Sequence, residues 1–198
     1  MSLQNRVQPT GEIVAVPDRG RYMGTRGILH DSGRQLGNQR WQYNAWVTCV
    51  LSFKGRHREV MTPHNYTELF FHDEAVAFAA GHRPCAECRR DDYNRFCQAL
   101  GLRPPISAFD AKLHAARAIP RRFEQKRWRS EIAELSQGTF VLVQDVPHLL
   151  MIDAMVPFHP EGYGSPIERP LTGNVTVLTP EPLVAALRAG YELDIALP

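Results

Sequence analysis

The clearest pattern in the chain is the run AWVTCVLSF, residues 45–53, in which apolar and β-branched residues follow one another without a break. That composition predicts a strand. Alternation along it places Ala45, Val47, Cys49, Leu51 and Phe53 on one face. TELFF (67–71) predicts a second strand. In HDEAVAFAAG the pattern becomes that of a short helix, with Asp73 as N-cap and Gly81 just past the end. Pro84 is placed at the first position of the next helix, which runs to about Leu100 and stops at Gly101. On that helix Cys85, Cys88, Asp92 and Phe96 fall near one face. Residues 1–40 are rich in glycine, arginine and turn formers, and read as an irregular arm with extended pieces at Ile13–Val16 and near Ile28.

GLRPPIS is the clearest break. Beyond it AFDAKLHAARAI reads as helix, Pro120 interrupts, and RFEQKRWRSEIAEL reads as helix again. GTFVLVQ and HLLMIDAMVPF predict strands around an Asp145-Val-Pro turn. HPEGYGSPIERPLTGN predicts a long loop, VTVL a strand, and TPEPLVAALRAG a helix with Thr179 as N-cap and Pro180 at its first position. The fold class is α+β in two parts. Residues 1–104 hold the arm and a small α/β module. Residues 105–198 form a helical connector, a small β-rich unit and a closing helix. The connection is short enough for both to pack as one globule.

Composition adds little: of 198 residues, 43% are hydrophobic and 22% charged, as in an ordinary soluble protein with a core. The net charge of +2 announces no nucleic-acid binder, so any such case rests on local clustering. Residues 112–129 supply it: Lys112, Arg117, Arg121, Arg122, Lys126, Arg127 and Arg129 face only Glu124, with Phe123 and Trp128 interleaved. Cations can neutralise phosphates and rings can stack on bases. The competing reading is a solvated helical face with its aromatics turned inward. No run approaches the ~20 apolar residues of a membrane span, and the N-terminus lacks the apolar core of a secretory signal. A cytoplasmic protein without membrane association is expected. Its cysteines, Cys49, Cys85, Cys88 and Cys97, are then free thiols, metal ligands or redox groups.

Cys85 and Cys88 form a Cys-x-x-Cys pair at an expected helix start, where free backbone N–H groups and Arg83, Arg89 and Arg90 favour thiolate. The spacing suits one zinc ion, but a tetrahedral site needs two further ligands. A redox pair is the second reading; that motif ordinarily follows a strand, whereas here a helix precedes it. Two inert buried thiols are the third.

FFHDEAVAFAAGHRPCAECRRDD resembles part of the metal-binding domain of the Ada DNA alkylation-repair family. The matching positions are Ala75, Ala79, Ala80, Gly81, Arg83, Pro84, Cys85 and Cys88. The match spans roughly 25 residues, and about residues 45–100 if AWVTCVLSF is the preceding strand. The chain as a whole also resembles a group of bacterial proteins, which implies no activity. The Ada resemblance implies a four-cysteine zinc site in a small α/β domain that contacts DNA, in which an early cysteine accepts a methyl group. Cys85 and Cys88 match the second ligand pair. The first pair is missing, since Cys49 is the one upstream cysteine. His57 is the first candidate to complete the site, and His30 and His64 follow. Zinc is the implied cofactor and DNA the implied partner. Candidate nucleic-acid contacts are Arg83, Arg89, Arg90, Arg121, Arg122, Lys126 and Arg127.

Two other constellations stand out. Asp110 and His114 share a helical face and could orient a base or ligate a metal, although a surface hydrogen bond is the commoner outcome. His159 and Glu161 lie in the predicted loop. Phosphate-binding glycine loops, nucleophile elbows and His-Glu-x-x-His motifs are absent from the sequence. Three functions therefore stand: a zinc-supported DNA binder, an enzyme acting on nucleic acid by alkyl transfer or metal- or His-dependent hydrolysis, and a metal-free structural module.

Overall fold

The computed structural model describes residues 2–56 and 59–197. Its first half runs β1 (Arg6–Val7), β2 (Ile13–Val14), β3 (Tyr22–Thr25), β4 (Val47–Val50), β5 (Leu69–Phe71), α1 (Glu74–Ala79), β6 (Arg83–Pro84) and α2 (Arg90–Ala99). The second runs α3 (Ser107–Arg117), β7 (Ala118–Ile119), β8 (Glu124–Gln125), β9 (Trp128–Glu131), β10 (Phe140–Val143), β11 (Val146–Leu150), β12 (Ala154–His159), β13 (Gly162–Tyr163), β14 (Ile167–Glu168), β15 (Asn174–Val177) and α4 (Glu181–Arg188). The mixture bears out an α+β chain.

One sheet has the order β2-β1-β5-β3-β4-β6 and belongs wholly to the N-terminal half. A second, β13-β12-β11-β10-β15-β9 with β14 added to β12, belongs to the C-terminal half and is antiparallel throughout. Between them lies α1, whose residues are all buried. Its alanines have little bulk, and residues of both sheets pack into one core with it. The main core cluster joins Leu69, Phe71, Ala75 and Val76 to Phe140, Leu149, Val156 and Leu178. The break near residue 104 is therefore a chain boundary and not a packing boundary.

A six-residue helix does not persist alone; its ends and flanks hold α1. Asp73 Oδ1 accepts from the Val76 amide at 2.9 Å, as the cap reading expects. Gly81 has φ of +83°, and a Cβ there would meet Arg117 Cδ at 2.5 Å, so the residue is bound to be glycine on two counts. The remaining oxygens of Asp73 and Glu74 are met from far along the chain. Tyr163 Oη and the Ala196 amide donate to Asp73, and Tyr191 Oη and the Asp194 amide to Glu74.

Several expectations fail for identifiable reasons. The helix expected from Pro84 begins at Arg90. Pro84 instead ends an edge strand, where its missing N–H costs no ladder bond. RFEQKRWRSEIAEL is strand and a 3-10 turn, not helix. The left-handed φ values of Arg121 (68°) and Phe123 (55°) turn the chain, and β9 then pairs with β15 along four residues. That pairing overrides helix propensity. The turn placed at Asp145-Val-Pro lies at Gln144–Asp145, whose φ values of 49° and 62° mark a two-residue hairpin. The 159–174 loop carries β13 and β14, and the arm carries β1 to β3. Thr179 does not cap α4: Pro180 holds that position, and Thr179 Oγ1 accepts from the Phe140 amide at 2.8 Å.

Two predictions concern this frame. Arg83 and Asp110 form a buried bidentate pair, with both N···O distances 2.7 Å. Asp110→Ala leaves the guanidinium buried and unanswered, and should cost about 3 kcal/mol in urea unfolding. His82 is fully buried against Phe71 and Trp46, with Arg26 Nε 3.4 Å from its Nε2. Burial, then Arg26 and Arg117, hold its pKa well below 6.5. The unfolded chain therefore binds a proton below pH 6.5 that the folded chain refuses, and stability falls as pH drops through that range. Between pH 7.5 and 5.5, His82→Phe should lose about 1 kcal/mol less than the unaltered chain, read by urea midpoints at both pH values.

Candidate metal centre

β4 positions the first thiol. Its alternation is real, but the buried face is the opposite of the one its composition suggests. Trp46 and Thr48 are 3% and 0% exposed, whereas Leu51 is 38% exposed. Cys49 thus points away from the core, to the outer face of the sheet. β6 lies parallel beside β4, with Val47 opposite Arg83 and Thr48 opposite Pro84. The Cys85 amide donates to Thr48 O at 3.0 Å, carrying this pairing one residue further. Cys85 then stands next to Cys49. The chain turns over residues 86–89, the Arg89 amide donating to Cys85 O at 3.2 Å, and brings Cys88 back. The cysteines lie before α2 and not on it, which corrects the helix-borne reading.

Sγ atoms of Cys49, Cys85 and Cys88 all lie within 4.8 Å of one another. Three sulfurs around one zinc at ~2.3 Å stand about 3.8 Å apart, so the cluster fits that ion with little adjustment. The Glu87 amide donates to Cys85 Sγ at 3.4 Å. Thiol contacts from Cys49 and Cys88, with backbone amides, hold Cys85 far below the ordinary thiol range. Donation to Cys85 and Cys88, and then burial, push Cys49 strongly up. For Cys88 the Cys49 thiol pulls down while Cys85 and burial push up, and the net shift is upward. The set shares its negative charge unevenly. Three full thiolates at this separation need a cation between them.

Two buried ion pairs clamp the loop. Arg83, on the N-terminal side, is tied to Asp110 of α3. Arg89, on the other side, meets Glu74 of α1 and Asp92, both at 2.7 Å, and lies over the Tyr22 ring. Both guanidiniums were expected on a nucleic-acid surface. Instead they are 7% and 5% exposed, and their charge is spent inside the protein. Asp110, expected to pair with His114, gives both oxygens to Arg83, and His114 Nδ1 lies 3.4 Å from Arg117.

Of the candidate histidines, His57 lies outside the described residues. His30 is buried, with Nδ1 against Thr67 Oγ1 and Nε2 against Thr62 O, and His64 is exposed; neither joins the sulfurs. Cys97 is buried apart, with Tyr93 and Ile106. Beside the sulfurs opens a cavity of 440 Å³, which the sequence does not announce.

Arg121 and Arg122 are exposed on the turn between β7 and β8, where Arg122 meets Glu124 at 3.0 Å. Lys126 Nζ donates to Ala115 O. Arg127 lines a 600 Å³ cleft with Arg40, Phe123, Glu12 and Glu124. Arg90 is exposed at the start of α2. The interleaved rings serve the fold: Phe123 packs edge-on to Trp41 at 4.9 Å, and Trp128 Nε1 donates to Thr179 O at 2.9 Å. Among the described residues, no helix is long and apolar enough to cross a membrane.

Comparison of the chain with family models, with curated proteins and with solved structures gives no match in any of the three.

Proposed function

We propose that the protein is a zinc-binding, DNA-binding protein in which the metal fastens β4, β6 and the start of α2 to one another. The observation that carries this reading is the convergence of Cys49, Cys85 and Cys88 from segments separated by 35 residues or more of chain into one sulfur cluster. Bound zinc would keep all three as thiolates and act as the cross-link of the module. His57 is the proposed fourth ligand. Arg56 and Val60, on either side of it, line the cavity that the sulfurs share, and Arg56 meets Glu87 of the cysteine loop at 2.9 Å. A Cys₃His set is an ordinary closed structural site.

The DNA reading is supported by the basic turn 121–122 together with Lys126 and Arg127, and by Arg40 and Arg127 in one cleft. This cleft and the sulfur-lined cavity share no lining residue. In this reading the metal supports the fold, and phosphate contact falls to the basic turn and the cleft, where Arg40 of the first half joins Arg127 of the second.

Protein purified without chelator should carry about one zinc per chain. Single serine substitutions at Cys49, Cys85 or Cys88 should each remove the metal, measured by elemental analysis, and lower the thermal midpoint, whereas Cys97→Ser should retain zinc. A folded, zinc-free preparation overturns the metal reading. Duplex DNA should bind with an affinity that falls as salt rises, by roughly one logarithmic unit of slope per phosphate contacted. Arg121→Glu with Arg122→Glu should flatten that slope; absence of binding at low salt rejects the DNA reading.

A further inference from the structure

The strand register lays out the floor of the sulfur-lined cavity. Phe70 of β5 stands opposite Met23 of β3, and Met23 opposite Cys49 of β4. Cys85 follows on the far side of Cys49. These residues form one cross-strand row on the face that lines the cavity, with Phe70 only 2% exposed beneath the Arg19 guanidinium, while Phe71 and Thr48, their neighbours in sequence, are 0% exposed on the other face. Neighbouring strands lie about 4.8 Å apart, so the row runs roughly 10 Å from Phe70 to the first sulfur.

At the end away from the sulfurs stands Arg19. Its guanidinium lies 4.6 Å from the Phe70 ring centre, on the outer side of the sheet. Gly20 makes that approach possible. Its φ is +71°, and a Cβ there would meet Phe71 O at 2.0 Å, so the loop lies flat on β5. Leu51 and Phe53 add apolar walls, and Leu51 is 38% exposed for a residue of its kind. Among the described residues, the other charges that line the cavity are answered locally. Glu87 is paired with Arg56, and Glu68 accepts from the Met61 amide at 2.8 Å. Arg19 makes no ion pair with any carboxylate among the described residues; its contact is with the ring.

We propose that this cavity is a binding site for a small amphipathic anion. The acid group would sit on Arg19, and an apolar body would lie along Met23, Leu51 and Phe53 toward the sulfurs. The volume of 440 Å³ lies within the range of small-molecule sites, about 300–1,000 Å³. A cation over an aromatic ring at one end and apolar side chains along the floor select a carboxylate, phosphate or sulfonate on a body of about 10 Å. The site rests on the sheet register and stands whether or not DNA binds elsewhere.

The test uses the full chain with its metal and anilinonaphthalene sulfonate as the probe. Saturable binding of one probe per chain is expected, with a blue shift of its emission. Arg19→Ala should weaken it by about tenfold, the loss of one charge-assisted contact. Leu51→Glu should abolish it, since it sets a negative charge on the floor. Both positions are exposed, so zinc content and thermal midpoint should stay unchanged, which separates this result from failure of the metal reading. Anilinonaphthalene without its sulfonate needs no variant and should bind about tenfold more weakly. Competition by octanoate marks an aliphatic ligand, and competition by adenosine monophosphate an aromatic one. Absent saturable binding, equal binding by both variants, equal binding of the uncharged probe, or displacement by neither competitor overturns the proposal.

Discussion

Everything about the sulfur cluster depends on two buried guanidinium–carboxylate pairs. Arg83 and Arg89 bracket the Cys85–Cys88 loop, and each is tied to a different helix. A turn of five residues has few hydrogen bonds of its own and would wander in solution. Anchored at both ends to α3 and α1, it has little freedom left, and the two thiols are delivered to Cys49 in a fixed place. Buried pairs of this sort add little net stability, because both charges must be stripped of water. What they give is position: each end of the loop is held against its own helix.

The sheet has two faces with different work. Phe71 points inward to the core that joins α1 to the second sheet, and Trp46 and Thr48 are buried on the same face, Trp46 against His82 and the Arg117 guanidinium. Phe70, Met23 and Cys49 point outward to the cavity. Since side chains alternate strictly, the same short strands hold the core and present the chemistry, and slipping one strand by a residue would bury the thiol and expose the aromatic.

Much of this is legible in the amino-acid sequence. The nearness of Cys49 to the Cys-x-x-Cys pair is implied only by the Ada resemblance, whereas the α1 helix with its Asp73 cap and Gly81 stop and the strands at 47–50 and 69–71 follow from residue pattern. The inward face of β4 did not. In so short a strand, Trp46 and Thr48 compete with Val47, Cys49 and Leu51, and hydropathy favours the wrong set. Nor did the arginines declare themselves. A guanidinium beside cysteines reads as surface charge until its carboxylate is known, and Asp110 lies 27 residues downstream of Arg83. The strand at 128–131 was hidden because its partner, β15, comes more than forty residues later. The arginines and this strand share one cause: each turns on a contact too distant in sequence for local pattern to report.

The carboxylates at the head of α1 have a consequence for how the protein is made. Asp73 and Glu74 receive their last donors from Ala196 and Asp194, at separations of 123 and 120 residues. During synthesis residues 73 and 74 leave the ribosome long before those amides do. Until they do, two acids meant for the interior must stay hydrated, and the sheets cannot close on the helix between them. The order of translation thus becomes a timer: the central layer of the molecule locks after the segment that seals it has emerged.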